Sequence, residues 1–342
     1  MSDIAIDDHL ALSRQLLQLI PDSVLASLTS FGCDISQALN VVSLSRGLSN
    51  QNFLITQASG QYVLRVNSLA SNAICSRSAE VANWRAAESG QLAPELMFVS
   101  ADRQYFLSEF IVTDKDWSEL MTANSAHPLI DNHQHWGGVE EQLLSLLNRL
   151  SQLPAPDNHI SASEQWQTYL TSLSQCAIKH EPDSQWQQRY LHFLTHQTRV
   201  KQILAMLDSC MLSAQYCHRD LNPHNLLLKD NRLYCIDFEY ACLSHPLTDL
   251  ASVLATHRLS TPQRHWLISQ YLSGHPHLTQ DALTAVPAAI ELYWYFACCW
   301  GLLMASHVQQ NLKDTGFLPM VIKGQTPASY LACYDDCLAL LS

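Results

Sequence analysis

Residues 215–241 read QYCHRDLNPHNLLLKDNRLYCIDFEYA, and this stretch decides the fold. His218, Asp220 and Asn225 stand in the order H-x-D-x-x-x-x-N, and Asp237 then opens D-F-E. Two apolar runs, 225–228 and 233–238, flank the polar turn Lys229-Asp230-Asn231-Arg232. That pattern predicts a β-hairpin with an acidic loop at each end. Such a hairpin brings Asp220, Asn225 and Asp237 to one edge of a small sheet. Three oxygen-bearing side chains at one spot suit hard cations and phosphate chemistry. The plainer alternative is an ordinary hairpin with solvated acids; two motifs in the right order and separation argue against it.

Transfer of a γ-phosphoryl group needs an acceptor hydroxyl held in line and charge neutralised on the phosphates. In that chemistry Asp220 orients the hydroxyl and takes its proton, while Asn225 and Asp237 hold Mg²⁺ against ATP. H-R-D-x-x-x-x-N followed by D-F is the spacing of a protein-kinase catalytic loop.

Residues 215–250 resemble the aminoglycoside phosphotransferase and choline kinase superfamily, a branch of the kinase-like fold. Asp237 to Ala241 (D-F-E-Y-A), followed by Thr248-Asp249-Leu250-Ala251, is similar to the choline kinase and thiamine kinase branch. Protein kinases carry Gly where this chain has Glu239. The resemblance implies that Asp249 braces the catalytic loop by hydrogen bonding. It also implies an α+β, bilobal, protein-kinase-like fold, with a small N-lobe built on an antiparallel sheet and a larger, mainly helical C-lobe. The expected organisation is an N-terminal helical extension over 1–40, a nucleotide-binding N-lobe over 41–112, and a catalytic and substrate-binding C-lobe over 113–342.

The N-lobe follows in outline. Val41 to Leu44 and Phe53 to Ile55 flank a small polar loop, and Tyr62 to Val66 makes the next strand after the turn Ser59-Gly60. Such a loop can give backbone N–H groups to phosphates. It resembles the G-x-[ST]-N nucleotide loop of choline-kinase-like proteins, which makes Ser49 and Asn50 candidate nucleotide contacts. Arg65 stands where protein kinases place the Lys of V-A-I-K, and a guanidinium can grip phosphate oxygens bidentately. Its expected partner is Glu80, on the helical run 78–85, where Ala79, Ala82 and Trp84 are available for packing; the alternative for Glu80 is a solvated helix acid. Ser108 to Ile111 resembles the linker between lobes, placing Glu109 and Ile111 among the nucleotide-binding residues.

Composition bounds the remaining classes. The chain has 342 residues, 47% of them hydrophobic, enough for a sizeable core in two lobes. The net charge of −12 and the lack of a Lys/Arg cluster argue against nucleic-acid or anionic-membrane partners. MSDIAIDDHL lacks a basic n-region and does not read as a secretory signal. The eleven Cys form no C-x-x-C unit, so free thiols in the reducing cytoplasm are expected. The His-rich run 131–138 reads as solvated loop. Leu292 to Ala305, fourteen uncharged residues, is too short for a membrane span and reads as the middle of a buried helix over 288–306.

That helix carries Tyr293, Trp294, Phe296 and Trp300, which cannot all share one face; most must pack in the core. An aromatic wall could also receive a cation by cation–π attraction. The resemblance places such a wall near the catalytic base, which makes Glu239, Tyr240, Glu291 and Trp294 the substrate candidates. The expectation is an ATP- and Mg²⁺-dependent kinase acting on a hydroxyl of a small, cationic molecule of choline, ethanolamine or thiamine type. Its catalytic residues are Asp220, His218 and Asn225, with Asn225 and Asp237 on the metal. An aminoglycoside or amino-sugar kinase, or a catalytically silent nucleotide-binding relative, are the alternatives.

Overall fold

In the computed structural model, which describes residues 12–44, 50–68, 72, 75–122, 138–315 and 326–341, the chain divides into two units, Met1–Thr113 and Asp114–Ser342. Ser49, with the rest of 45–49, and the His-rich residues 131–137 lie outside the described residues.

The first unit is built on five antiparallel strands: β1 (Asn40–Ser43), β2 (Gln51–Gln57), β3 (Gly60–Val66), β4 (Leu96–Val99) and β5 (Tyr105–Glu109). Their spatial order is β1-β2-β3-β5-β4. A two-residue turn joins β2 to β3, with Gln57 opposite Gly60. Phe53, Ile55 and Leu64 are buried, as the alternation of a strand with one covered face requires. Ahead of the sheet run helices α1 (12–19) and α2 (Asp22–Ser30), with Pro21 at the restart between them. Helix α3 (Arg77–Ser89) links β3 to β4, and the Ser76 side chain caps it by accepting the Ala79 N–H. The Trp84 indole donates to the Pro94 carbonyl at 2.8 Å and meets the Phe106 ring edge-on. Of the residues expected to pack on α3, Trp84 is buried and Ala79 half-buried, and the inward face is wider than expected. It carries Arg77, Glu80, Asn83, Trp84 and Ala87, while Ala82 is exposed.

The second unit is mainly helical, through α4 (Trp117–Thr122), α5 (Val139–Ser151), α6 (Ala162–Ala177), α7 (Gln185–Leu194) and α8 (Gln197–Cys210). Two small ribbons follow. Strand β6 (Gln215–Cys217) pairs with β9 (Cys242–Ser244), and between them β7 (Leu226–Lys229) pairs with β8 (Arg232–Cys235). Asp230 and Asn231 turn the β7–β8 hairpin with φ of +51° and +57°, the left-handed geometry a two-residue hairpin turn requires. That turn sets the register Leu226 opposite Cys235. The Ile236 N–H then donates to the Asn225 carbonyl at 3.0 Å, so Asn225 and Asp237 emerge at the same end of the hairpin.

Helices α9 (Leu247–Thr256), α10 (Thr261–Leu272), α11 (Ala282–Thr315) and α12 (Pro327–Ala339) complete the unit. Helix α11 is 34 residues long, well beyond the 288–306 expected. Among the described residues it is the one helix long and apolar enough to cross a membrane, and 61% of its most apolar window is buried inside the fold. It packs against α6, α8, α9 and α12. At Gly301 a Cβ would lie 3.1 Å from the Tyr330 carbonyl oxygen, so the missing side chain is what lets α12 approach this closely. All eleven cysteines are free thiols.

Candidate active site

The loop between β6 and β7 is held from beneath by Asp249 near the start of α9. Its carboxylate accepts the backbone N–H of His218 at 2.9 Å and of Arg219 at 2.7 Å. Arg219 has φ of +71°, a left-handed conformation costing a non-glycine residue about 1–3 kcal/mol, and the two hydrogen bonds offset that cost. Asp249 is 1% exposed, and burial pushes its carboxyl up to about 6 despite those donors.

His218 is fully buried. Its Nε2 donates to the Ile236 carbonyl at 3.1 Å, its Nδ1 accepts the Asp220 N–H at 3.3 Å, and its ring sits edge-on to Phe238. Burial lowers its pKa to about 4, so it stays neutral. Expected among the catalytic residues, His218 thus joins the 218–225 loop to the Asp237 segment from within, and both ring nitrogens are used by the chain.

Asp220 keeps part of its surface open. Its Oδ1 accepts from the Asn222 amide at 2.9 Å and its Oδ2 from the Asn225 amide at 2.8 Å. The same Asn225 amide also donates to the Asp220 carbonyl at 3.0 Å. Two donors aim the carboxylate in one direction. Desolvation raises its pKa to about 7, with the charges of Asp237 and Glu239 adding to the rise and the two amides opposing it. A carboxyl poised near neutrality suits general-base work.

Mg²⁺, which the family resemblance implies, would take oxygen ligands and keep several waters. The donor set fits. Asn225 turns its nitrogen to Asp220, which leaves Oδ1 as the amide's accepting end, and Asp237 lies at the same end of the hairpin with φ of +67°. Carboxylates crowd there, since Asp237 and Glu239 both act on Asp220. A divalent cation would relieve that repulsion.

In the first unit, Arg65 Nη2 lies 2.8 Å from Glu80 Oε1, the ion pair expected from the sequence. A second cation shares the carboxylate: Arg77 Nη1 donates to Glu80 Oε2 at 2.7 Å. Asn50 is buried, and its Oδ1 accepts from Arg77 Nη2 and from the Ser68 N–H, both at 3.1 Å. Its side chain thus faces the protein interior. Ile111 is buried, whereas Glu109 is exposed and accepts the Glu95 N–H at 3.2 Å through its side chain.

The four substrate candidates separate. Glu239 is buried beside Asp220, and Tyr240 follows it in the turn after Phe238. Glu291 is not brought to the 218–225 loop. It forms a two-point ion pair with Arg199 on α8, at 2.9 Å from Nε to Oε1 and 2.5 Å from Nη2 to Oε2. Trp294 lines a cavity of about 490 Å³ with Asn222, Pro223, His224, Leu254 and Ile290. Because Asn222 also holds the Asp220 carboxylate, this cavity adjoins the 218–225 loop. Asn222, Arg77 and Tyr293 were missing from the sequence-based site; burial and then the Asp220 charge push the Tyr293 phenol up, which puts it close to the carboxylate. Asn222, two residues past Asp220, was within reach of the motif, and Tyr293 stands in the aromatic run beside Trp294; Arg77 carried no local signal.

The model of the family described as "APH: Phosphotransferase enzyme family" matches residues 40–281, more than half of the chain. Protein LicA of Haemophilus influenzae is 24% identical over 231 residues, 66% of this chain and 60% of that protein. The chain thus spans about 60% of the length of this curated relative. The choline kinase LicA from Streptococcus pneumoniae has a similar fold, with a TM-score of 0.61 at 15% identity, over 93% of this chain and 97% of that one. The gentamicin–APH(2'')-IIa complex matches with a TM-score of 0.60 at 17% identity, over 92% and 96% of the two chains. The fold is α+β and kinase-like, and the chain belongs to the phosphotransferase enzyme family.

Proposed function

We propose that this phosphotransferase moves the γ-phosphoryl group of ATP to a hydroxyl of a small molecule. The observation that carries this reading is the Asp220 carboxylate, aimed by Asn222 and Asn225 on a loop pinned by Asp249. Asp220 takes the acceptor's proton as the hydroxyl oxygen bonds to phosphorus. The bond from phosphorus to the β,γ-bridging oxygen breaks, and ADP leaves. Asn225 and Asp237 would hold Mg²⁺, which supplies charge neutralisation on the phosphates when bound. In the first unit Arg65, oriented by Glu80, would contact the polyphosphate.

The acceptor class that leads is choline, ethanolamine or thiamine. The likeness to LicA supports it, as does Trp294 on the wall of a cavity beside the catalytic loop, where an indole face can attract a cation. An aminoglycoside acceptor is the second reading, favoured by the fold match to the gentamicin complex. ADP release with Mg-ATP against a panel of these acceptors tests both. Turnover with a choline-type alcohol alone supports the first, turnover with an aminoglycoside alone supports the second, and turnover with neither overturns both.

A further inference from the structure

Helix α10 carries a guanidinium that the proposed reaction does not use. Arg264 lines the cavity of about 490 Å³ that also has Asn222, Ile290 and Trp294 in its wall. It is half-buried, and its Nη1 donates to the Leu254 carbonyl at 2.6 Å. Among the described residues its Nε and Nη2 have no hydrogen-bond partner, and no carboxylate pairs with the side chain. Two other arginines of this chain show what that edge can do. Arg199 turns Nε and Nη2 on the Glu291 carboxylate, and Arg189 turns the same two atoms on Asp335. In Arg264 the same two-donor edge has no such carboxylate among the described residues. Burial lowers its pKa, as it does for a guanidinium with no anion beside it.

We infer that the acceptor is an amino alcohol that also carries a carboxylate, and that Arg264 binds this carboxylate across its Nε–Nη2 edge. This deepens the proposed function and rests on it: Asp220 takes the hydroxyl proton, and the cavity beside Asn222 belongs to the acceptor. Among the described residues no acidic side chain lines that cavity, so an anion entering it meets a guanidinium without a competing carboxylate. A desolvated cation without an ionic partner is costly, and a ligand carboxylate offsets that cost with two parallel N–H···O bonds. Asn222 ties the cavity to the chemistry. It lines the cavity and donates to Asp220 Oδ1 at 2.9 Å. The amine of the same molecule is left to Glu239, buried beside Asp220, and to the Trp294 indole.

A purely structural role for Arg264 makes a different prediction. Leu254 lies in the last turn of α9, where carbonyls have no partner within the helix, and a cation there also complements the helix dipole. That role occupies Nη1 and leaves the Nε–Nη2 edge without a task. If capping α9 is all that Arg264 does, removing it disturbs the cavity for every acceptor alike. If it binds a carboxylate, removing it acts on acceptors that carry one and changes the ratio between matched alcohols.

The test uses the full chain, Mg-ATP and ADP release with two pairs of alcohols, each differing by one carboxylate: L-serine with ethanolamine, and L-homoserine with 3-aminopropan-1-ol. In the pair it uses better, the native chain is expected to favour the carboxylated member in kcat/KM by about tenfold or more, the worth of a charge-assisted contact. Arg264→Gln is expected to remove that preference. Arg264→Lys, which keeps the charge and loses the two-donor edge, is expected to keep part of it. A native chain that uses the uncarboxylated members as well or better, or that turns over choline or thiamine and neither acid, overturns the inference and leaves the proposed function standing. A native preference for the carboxylated member that survives Arg264→Gln undiminished overturns the role of Arg264. If Arg264→Gln fails to fold, the native ratio and Arg264→Lys decide: an unchanged ratio in the Lys variant overturns the inference and a reduced one supports it. A native chain that turns over none of these alcohols overturns the proposed function itself, and the inference with it.

Discussion

Asp249 accepts the backbone N–H of Arg219 at 2.7 Å, and Arg219 holds a left-handed backbone at φ +71°. The side chain of one element fixes a strained turn in another, and Asp220 is the next residue along. Replacing Asp249 with Ala removes that bond and the one to His218. The loop that carries Asp220 and its two amide donors is then no longer pinned. The expected result is a fall in kcat of about 100-fold or more, with the KM for ATP changed far less. Steady-state kinetics on the variant check this, with circular dichroism to establish that it folds.

The pH dependence should report Asp220. Its carboxyl, pushed up to about 7 by desolvation and neighbouring charge, must be ionised to take a proton. The rate as kcat/KM should therefore rise through neutral pH and level off above it. Asn222→Leu removes a donor that favours the ionised form and should move the rising limb to higher pH. Glu239→Gln removes a like charge and should move it to lower pH.

Stability should carry the opposite sign. A carboxyl whose folded pKa lies above its unfolded value stabilises the fold most when protonated. That contribution is full below about 4, the unfolded value, and is lost as pH rises through about 7. At pH 8 the native state bears the whole cost of the desolvated charge. Asp220→Asn should thus raise Tm by a few degrees at pH 8 and by less at pH 5, while abolishing turnover. Thermal melts at the two pH values give the comparison.

The substrate candidates on α11 should part in the same way as their contacts do. Glu291→Ala breaks an exposed pair with Arg199 and should leave the acceptor KM within about twofold, with a stability cost of about 1 kcal/mol or less. Trp294→Ala removes an aromatic wall from the cavity beside Asn222 and should raise the acceptor KM about tenfold while the KM for ATP stays put. Equal effects from the two substitutions would contradict this assignment.

The hairpin and its loops were legible because their signals are local. A two-residue polar turn between apolar runs sets a register, and the register sets which residues share an end. The β6–β9 ribbon was not legible, since three-residue strands leave no periodicity to read and pair across residues 218–241. Arg77 reads as a solvent-facing helix charge until Asn50, far away in sequence, is seen beside it. Helical phase did contain the answer for Glu291. Residues 290 and 294 share one face and both line the cavity; residues 291 and 295 share another, and there Tyr295 meets His196 while Glu291 meets Arg199. Glu291 stood among the substrate candidates on the resemblance and not on its helical phase.

The central claim is tested most directly by ADP release with Mg-ATP against choline, ethanolamine, thiamine and an aminoglycoside, run beside Asp220→Asn. Acceptor-dependent ADP release by the native chain is expected, lost in the variant while ATP binding persists. Acceptor-dependent release that survives Asp220→Asn, or a native chain that neither turns over nor binds ATP, would contradict it.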